Sequence, residues 1–344
     1  MMTRVHVFAL VLALGALLFT VASATAKTSF EGKTVTIYIG YGPGGGFDIY
    51  ARFLARHLPQ HLVGSPTVVP KNSPGAGSIL LANQVASSLP KDGTAIAVLG
   101  NSLYLDQLLG APNIKFDASK FTWIGRLAGL PLLLVSWETS DVKTAQDMFR
   151  RELVIGVPGS GSYGYQLLNA VKQVMGANFK LISGYTSGQE TRLAMERGEV
   201  EGTASIQWTL MREQQKDWLE TKKVNLLTQL GLKSYPDLTQ VPLIADLAKN
   251  DEDRQTISVF LAPAEIGRSF VAPPDVPREI VQTLRTAFMA VANDPQVIAE
   301  AAKLELELSV MDGSELQAIV DQISMIPPAV LERAKRAAVS GAAK

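Results

Sequence analysis

The chain has 344 residues, 47% hydrophobic and 19% charged, a length that suits two domains of ordinary size with full cores. Lys and Arg together number 32, as do Asp and Glu, so no basic surplus points to nucleic acid or an anionic membrane surface. There is no cysteine, which excludes a disulfide framework, a thiolate metal site and a lipid-anchoring cysteine.

Residues 1–26 read as an export signal. Arg4 supplies the positive start, and Val7 to Val21 is apolar but shorter than the roughly twenty residues a membrane span needs. The "ASATA" that follows has small residues at alternate positions, so cleavage is expected after Ala26, or else after Ala24. The mature protein would then begin near Lys27 in the periplasm of a Gram-negative cell. An uncleaved N-terminal anchor is the competing reading. No later segment is long and apolar enough to span a bilayer.

Four strand–turn–helix units follow, in two pairs. "VTIYIGYGPGGGFDIYARFLARHL" and "TVVPKNSPGAGSILLANQVASSL" lead to the strand "AIAVLG". "ELVIGVPGSGSYGYQLLNAVKQVM" and "FKLISGYTSGQETRLAMERG" lead to "VEGTASI". Leu167, Val171, Val174 and Met175 mark one apolar helix face, and Gly198 is a helix-stop signal. Strands alternating with helices predict an α/β protein with parallel-rich sheets covered on both faces. "FTWIGRLAG" and "LPLLLVSW" read as extended segments crossing between domains. "ISVFLAPAEIGRSFVAPPDVP" reads as an extended return, followed by helices at Pro277–Ala292, Pro295–Leu304 and Ser314–Ile326. Domain one is then residues 27–130 plus 255–344, and domain two is 131–254. Two crossings make a hinged pair of lobes.

The glycine turns admit three readings. Gly40-x-Gly42-x-x-Gly45 and Gly159-x-Gly161-x-x-Gly164 match the dinucleotide fingerprint in form, but neither has the acid about twenty residues on that would hold a ribose hydroxyl. After Asp48 the next acid is Asp92, and after Gly164 it is Glu190. "EGKTVT" lacks the first glycine of a phosphate loop, Lys27 standing in its place. Catalysis finds little support. His57 and His61 are four apart, but Pro59 lies between them and no acid flanks them, which favours a solvated helix end over a metal site. No serine elbow follows an apolar strand.

The third reading uses the turns directly. A helix start presents unpaired N–H groups and about half a positive charge, and glycine lets an anion approach closely. Asn72, Ser73 and Ser78 add neutral donors on one side, with Ser160, Ser162, Tyr163, Thr186 and Ser187 opposite. Asn101 and Ser102, just past the third strand, and Gly161 complete the expected lining. Such a cleft suits a small anion held without covalent change, with no cofactor and no metal. The plain alternative is that these are ordinary βα turns, rich in glycine because tight turns need it.

The chain resembles the TctC, or Bug, family of extracytoplasmic solute receptors for tripartite tricarboxylate transporters. The matching residues are Gly44, Gly45, Asp48, Ala51, Arg52, Asn72, Pro74, Gly75, Ala76, Gly77, Asn83, Pro90, Asp92 and Gly93, with "MERGEVEG" and "FVAPPDVP" further on. The resemblance covers nearly the whole mature chain. It implies a two-lobed periplasmic binding protein of the type II-like, Venus-flytrap kind, with a two-segment hinge. It further implies a small organic carboxylate as ligand, the transporter's membrane components as partners, and a monomer. One carboxylate would be held by Tyr41 to Phe47 (Gly44, Gly45 and Gly46 included) and by Asn72 to Ser78, Gly75, Ala76 and Gly77 among them. Domain two's turns would read the rest of the ligand. Where relatives carry an alanine in the first turn this chain has "GYGPGGG", so Tyr41 is expected to add an aromatic wall. Asp48 either caps its helix or meets an amine on the ligand. Arg52 either forms a salt bridge or contacts ligand. Tyr104, Tyr163, Tyr185 and Trp208 are either further aromatic walls or core. A carboxylate sensor, and an enzyme on the same scaffold, remain the other functional readings.

Overall fold

The computed structural model of the chain describes residues 29–158, 162–185 and 187–339; the leader read at residues 1–26 lies outside them. Among the described residues, no helix is long and apolar enough to cross a membrane.

In the first half, β1 (Thr34–Ile39) buries Val35, Ile37 and Ile39, the alternation of a strand with one face on a core. The helix α1 (Gly46–His61) packs Phe53, Leu54 and Leu58 on that face. Then come β2 (Thr67–Asn72), α2 (Ile79–Ser87), β3 (Ala95–Val98), α3 (Leu103–Leu108) and β4 (Thr122–Ala128). All four residues of β3 are buried, as a central strand requires. The second half holds β5 (Leu132–Trp137), β6 (Leu153–Pro158), α4 (Tyr163–Met175), β7 (Phe179–Tyr185), α5 (Gly188–Glu196), β8 (Gly202–Ile206), α6 (Trp208–Gln214), α7 (Lys216–Glu220) and β9 (Val224–Leu230). The chain closes with α8 (Asp251–Ile266), β10 (Arg268–Ala272), α9 (Arg278–Asn293), α10 (Pro295–Lys303), β11 (Met311–Asp312), α11 (Gly313–Ser324) and α12 (Pro328–Val339).

Two mixed sheets result, ordered β11-β4-β10-β3-β1-β2 and β7-β6-β8-β5-β9. The halves repeat one plan: in each, the first strand lies between the second and the third, all parallel. Next to the third strand each sheet takes one antiparallel strand delivered by a crossing, β10 beside β3 and β5 beside β8. The strand direction has a functional consequence. β4 ends, and β5 begins, at the first crossing. The parallel strands of both lobes therefore end toward the hinge, which puts the turns after β1 and β2 at that end of the first lobe and the capped starts of α4 and α5 at that end of the second. This is the two-lobed fold of periplasmic binding proteins.

The segment read as an extended return is half helix. "ISVFLAPAEI" belongs to α8, and only Arg268–Ala272 is strand. Asn250 caps α8 by accepting from the Asp253 amide, and three acids fill its first turn. Val259, Phe260, Leu261, Ala262, Ala264 and Ile266 are all buried, some on the second lobe's core and some on the first. A helix buried all round shows no polar face, so its apolar run looks like a strand. The three later helices form within two residues of their expected bounds. The C-terminal α12, drawn with the first lobe by chain order, packs against α4 and α8: Val330, Ala334 and Ala337 join their core, and the Asn169 amide donates to the Ala337 carbonyl at 2.9 Å.

Candidate functional site

The first turn runs from Gly40 to Gly45. Tyr41 stacks on Phe47, ring centroids 4.7 Å apart at 16°. Gly42, Pro43, Gly44 and Gly45 are exposed. The rigid part lies just inside. Asp48, in the first turn of α1 and 3% exposed, accepts from the Gly44 amide at 2.9 Å, from Arg52 Nε at 2.9 Å and from Asn72 Nδ2 at 2.8 Å. Asn72 also donates to the Tyr41 carbonyl at 2.9 Å and accepts from Arg52 Nη2 at 2.7 Å. Asn72 reaches turn one because β1 and β2 are parallel with Ile39 opposite Asn72. One carboxylate, one guanidinium and one amide thus tie the two first-lobe turns together. Asp48, Arg52 and Asn72, all weighed as ligand contacts, have these protein partners.

The Arg52 hydrogen bond, with the Gly44 and Asn72 donors helping and burial opposing, holds the Asp48 carboxyl down at about 2. A lowered native pKa contributes stability that is present above the ordinary aspartate value and lost as pH falls through about 2. The shift corresponds to about 2 kcal/mol. Urea unfolding from pH 5 down to pH 2 is expected to show this loss in the wild type and not in Asp48→Asn; equal acid sensitivity in both would contradict it.

The second turn has unusual backbone. Ala76, Gly77 and Ser78 have φ of 46°, 62° and 82°, three left-handed residues in succession of which two carry side chains. Such residues cost on the order of 1 kcal/mol each and persist only where their surroundings hold them. Ser78 is fully buried, and its Oγ would lie 1.7 Å from a Cβ on Gly40. Gly40 is therefore a glycine because Ser78 rests on it. Ser78 was expected to donate to ligand; its hydroxyl is instead sealed under the turn. Ala76 and Gly77 are exposed at the crest, beside turn one. Gly100, at the end of β3, closes the floor: a Cβ there would meet the Tyr41 hydroxyl at 2.6 Å and the Gly77 carbonyl at 3.0 Å. Burial first, and the Asp106 charge second, raise the Tyr41 phenol above its ordinary value.

Other expected residues have structural partners. Asn101 is buried and donates to the Pro263 carbonyl of α8 at 2.9 Å, and the Ser102 hydroxyl donates to Asp106 at 3.2 Å. In the second lobe Ser162 caps α4 by accepting from the Tyr165 amide, and Ser187 caps α5 by accepting from the Glu190 amide. The Tyr163 hydroxyl is buried with no hydrogen bond among the described residues, and burial, ahead of the Glu265 charge, raises its pKa. Ser160, Gly161 and Thr186 lie outside the described residues. Tyr104 and Trp208 belong to cores, and Tyr185 packs against one. His57 and His61 sit 3.1 and 3.4 Å from the carboxylates of Glu300 and Asp294. No cluster of three metal-ligating side chains occurs among the described residues.

Two features escaped the sequence reading. Arg126 on β4 and Glu265 at the end of α8 form a buried ion pair at 3.3 Å where the two crossings meet. Arg268, the first residue of β10, lies with its guanidinium 4.6 Å over the Tyr50 ring and its Nη2 where a Cβ on Gly46 would come within 2.8 Å.

A hinged pair of α/β lobes whose parallel strands end toward the crossing is the architecture of a solute-binding protein. Solved structures share this fold: a TctC solute binding protein from Polaromonas superposes with TM-score 0.68, at 18% identity over 91% of this chain and 100% of that one. An adipate-bound protein of R. palustris gives TM-score 0.57 at 21% identity, covering 90% of this chain and 97% of that one. Malate-bound MatC from Rhodopseudomonas palustris gives 0.55 at 20%, covering 90% and 98%. A "UPF0065 protein in gbd 5'region" of Cupriavidus necator is 26% identical over 312 residues, 88% of each chain. The family model described as tripartite tricarboxylate transporter family receptor, TctC, matches residues 50–333. The chain belongs to that family; it is a binding receptor and not an enzyme.

Proposed function

We propose that the protein is a periplasmic receptor that captures a small organic carboxylate between its lobes and delivers it to the membrane components of a tripartite tricarboxylate-type transporter. The observation that carries this reading is the paired turn assembly. Asp48, Arg52 and Asn72 fix two exposed, nearly side-chain-free edges beside the start of α1, where N–H groups and the helix field favour a carboxylate. The second lobe's turns, with Ser160, Gly161, Ser162, Tyr163, Thr186 and Ser187, would read the rest of the ligand and hold the lobes closed around it. That closure is the difference a membrane partner senses. Adipate and malate in related structures set the size expected of the ligand. The leader at residues 1–26 would be removed on export.

Micromolar or better affinity is expected, which corresponds to roughly −8 kcal/mol. Charge-assisted hydrogen bonds of about 1.5–3 kcal/mol each supply much of it before ordering costs. A thermal-shift screen of mono- and dicarboxylates on ligand-stripped protein tests the reading. At a hundredfold excess over Kd a ligand adds about 2.7 kcal/mol, a rise of several degrees. Free acids should give that rise and their primary amides should not. Amides as effective as acids would overturn the carboxylate anchor.

A further inference from the structure

A cavity of about 190 Å³ lies between the lobes, lined by Gly46, Tyr50, Arg268 and Glu307 from the first and by Thr209 and Leu210 from the second. Arg268 is the one cation among the described residues that line it. The guanidinium is largely buried, its Nε makes no hydrogen bond, and no carboxylate among the described residues lies within salt-bridge distance. The acid nearest in charge, Glu307, accepts instead from the Thr209 hydroxyl across the interlobe gap. The Tyr50 ring and the Glu307 charge offset part of its desolvation, but no hydrogen-bonded anion completes it, and a buried arginine without one is costly. Gly46, the first residue of α1, leaves room for it: a Cβ there would come within 2.8 Å of Nη2, and the guanidinium would have to shift.

We propose that Arg268 receives the second carboxylate of a dicarboxylate whose first carboxylate is anchored at the paired turns, so that this cavity sets a preference for dianionic ligands. The inference rests on the carboxylate reading above. Gly46 follows the turn directly and also lines the cavity, so the two anchor points are contiguous. Glu213, Glu305 and Glu307 also line the cavity. They disfavour a free inorganic anion there. A carboxylate tethered to an already anchored group arrives at high effective concentration, and its planar oxygens suit a guanidinium fork. Burial raises the Glu307 carboxyl above its ordinary value, and the Thr209 hydrogen bond and the Arg268 charge oppose that shift. Because α6 forms one wall, a ligand reaching Arg268 also touches both lobes.

Calorimetry with adipate and monomethyl adipate, and with succinate and monomethyl succinate, tests this on the wild type, Arg268→Gln and Arg268→Lys. The wild type should bind at least one diacid tenfold or more tighter than its monoester. Arg268→Gln should bring that ratio within threefold, and Arg268→Lys should restore part of it. A ratio unchanged in Arg268→Gln would overturn the proposal and leave the turn anchor standing. Equal losses for diacid and monoester would overturn it in favour of a structural arginine. No binding of any of these acids to the wild type would remove both readings.

Discussion

Gly45→Val is expected to lower carboxylate affinity more than a hundredfold while leaving the melting temperature within about two degrees of the wild type. The three consecutive glycines that end turn one and open α1 have different surroundings. Gly44 has φ of 84°, a conformation valine would strain. Gly46 leaves room for Arg268. Gly45 has φ of −80° and ψ of 166°, extended backbone that β-branched residues adopt readily, and a Cβ there meets no atom within 4 Å. Among the described residues nothing requires Gly45 to be glycine. On the proposed reading the ligand does, because valine methyls at that position would stand over the first amides of α1. A hundredfold loss is about 2.7 kcal/mol, the scale of one or two charge-assisted hydrogen bonds. Retained affinity would show that the ligand does not approach this edge.

Arg126→Met is expected to destabilise the protein by about 3–5 kcal/mol, the cost of leaving a buried charge without its partner. Arg126 is 7% exposed and Glu265 8%, and the guanidinium also donates to the Glu265 and Ser309 carbonyls. Burial lowers the Arg126 pKa and the Glu265 charge opposes that shift, the balance of a desolvated pair. Adding Glu265→Gln should recover part of the loss, because the double variant buries no unpaired charge. Urea unfolding measures both. Additive losses in the double variant would show that the two side chains act independently. The pair joins β4 to the end of α8, so a weakened junction should also loosen the coupling between lobes.

In the first lobe, much of the candidate site's arrangement was legible because its chemistry is local. The glycine clusters, their place between a strand and a helix, and the four-residue spacing of Asp48 and Arg52 all lie within one short stretch. The join between turns was not legible, since Asn72 meets Asp48 only through the β1–β2 register. Ser78 looked like a donor because serine beside glycine commonly is one; three left-handed residues rotate it inward onto Gly40. Arg268 was passed over for the same kind of reason. It stands at the head of a strand far along the chain, and only the sheet order, with β3 alone separating β10 from β1, brings it to the start of α1. In α8 the signal was present in the Asn250 cap and the acidic first turn, but an apolar run closing on Pro263 and Gly267 outweighed it.

A crystal structure of the protein with adipate tests the central claim most directly. The account predicts one adipate carboxylate within about 2.7–3.2 Å of backbone N–H groups at residues 45–46 and 76–77, directly or through a single bridging water, with both lobes in contact with the ligand. Adipate bound between the lobes with neither carboxylate reaching these two turns, or bound to one lobe's outer surface, would contradict it.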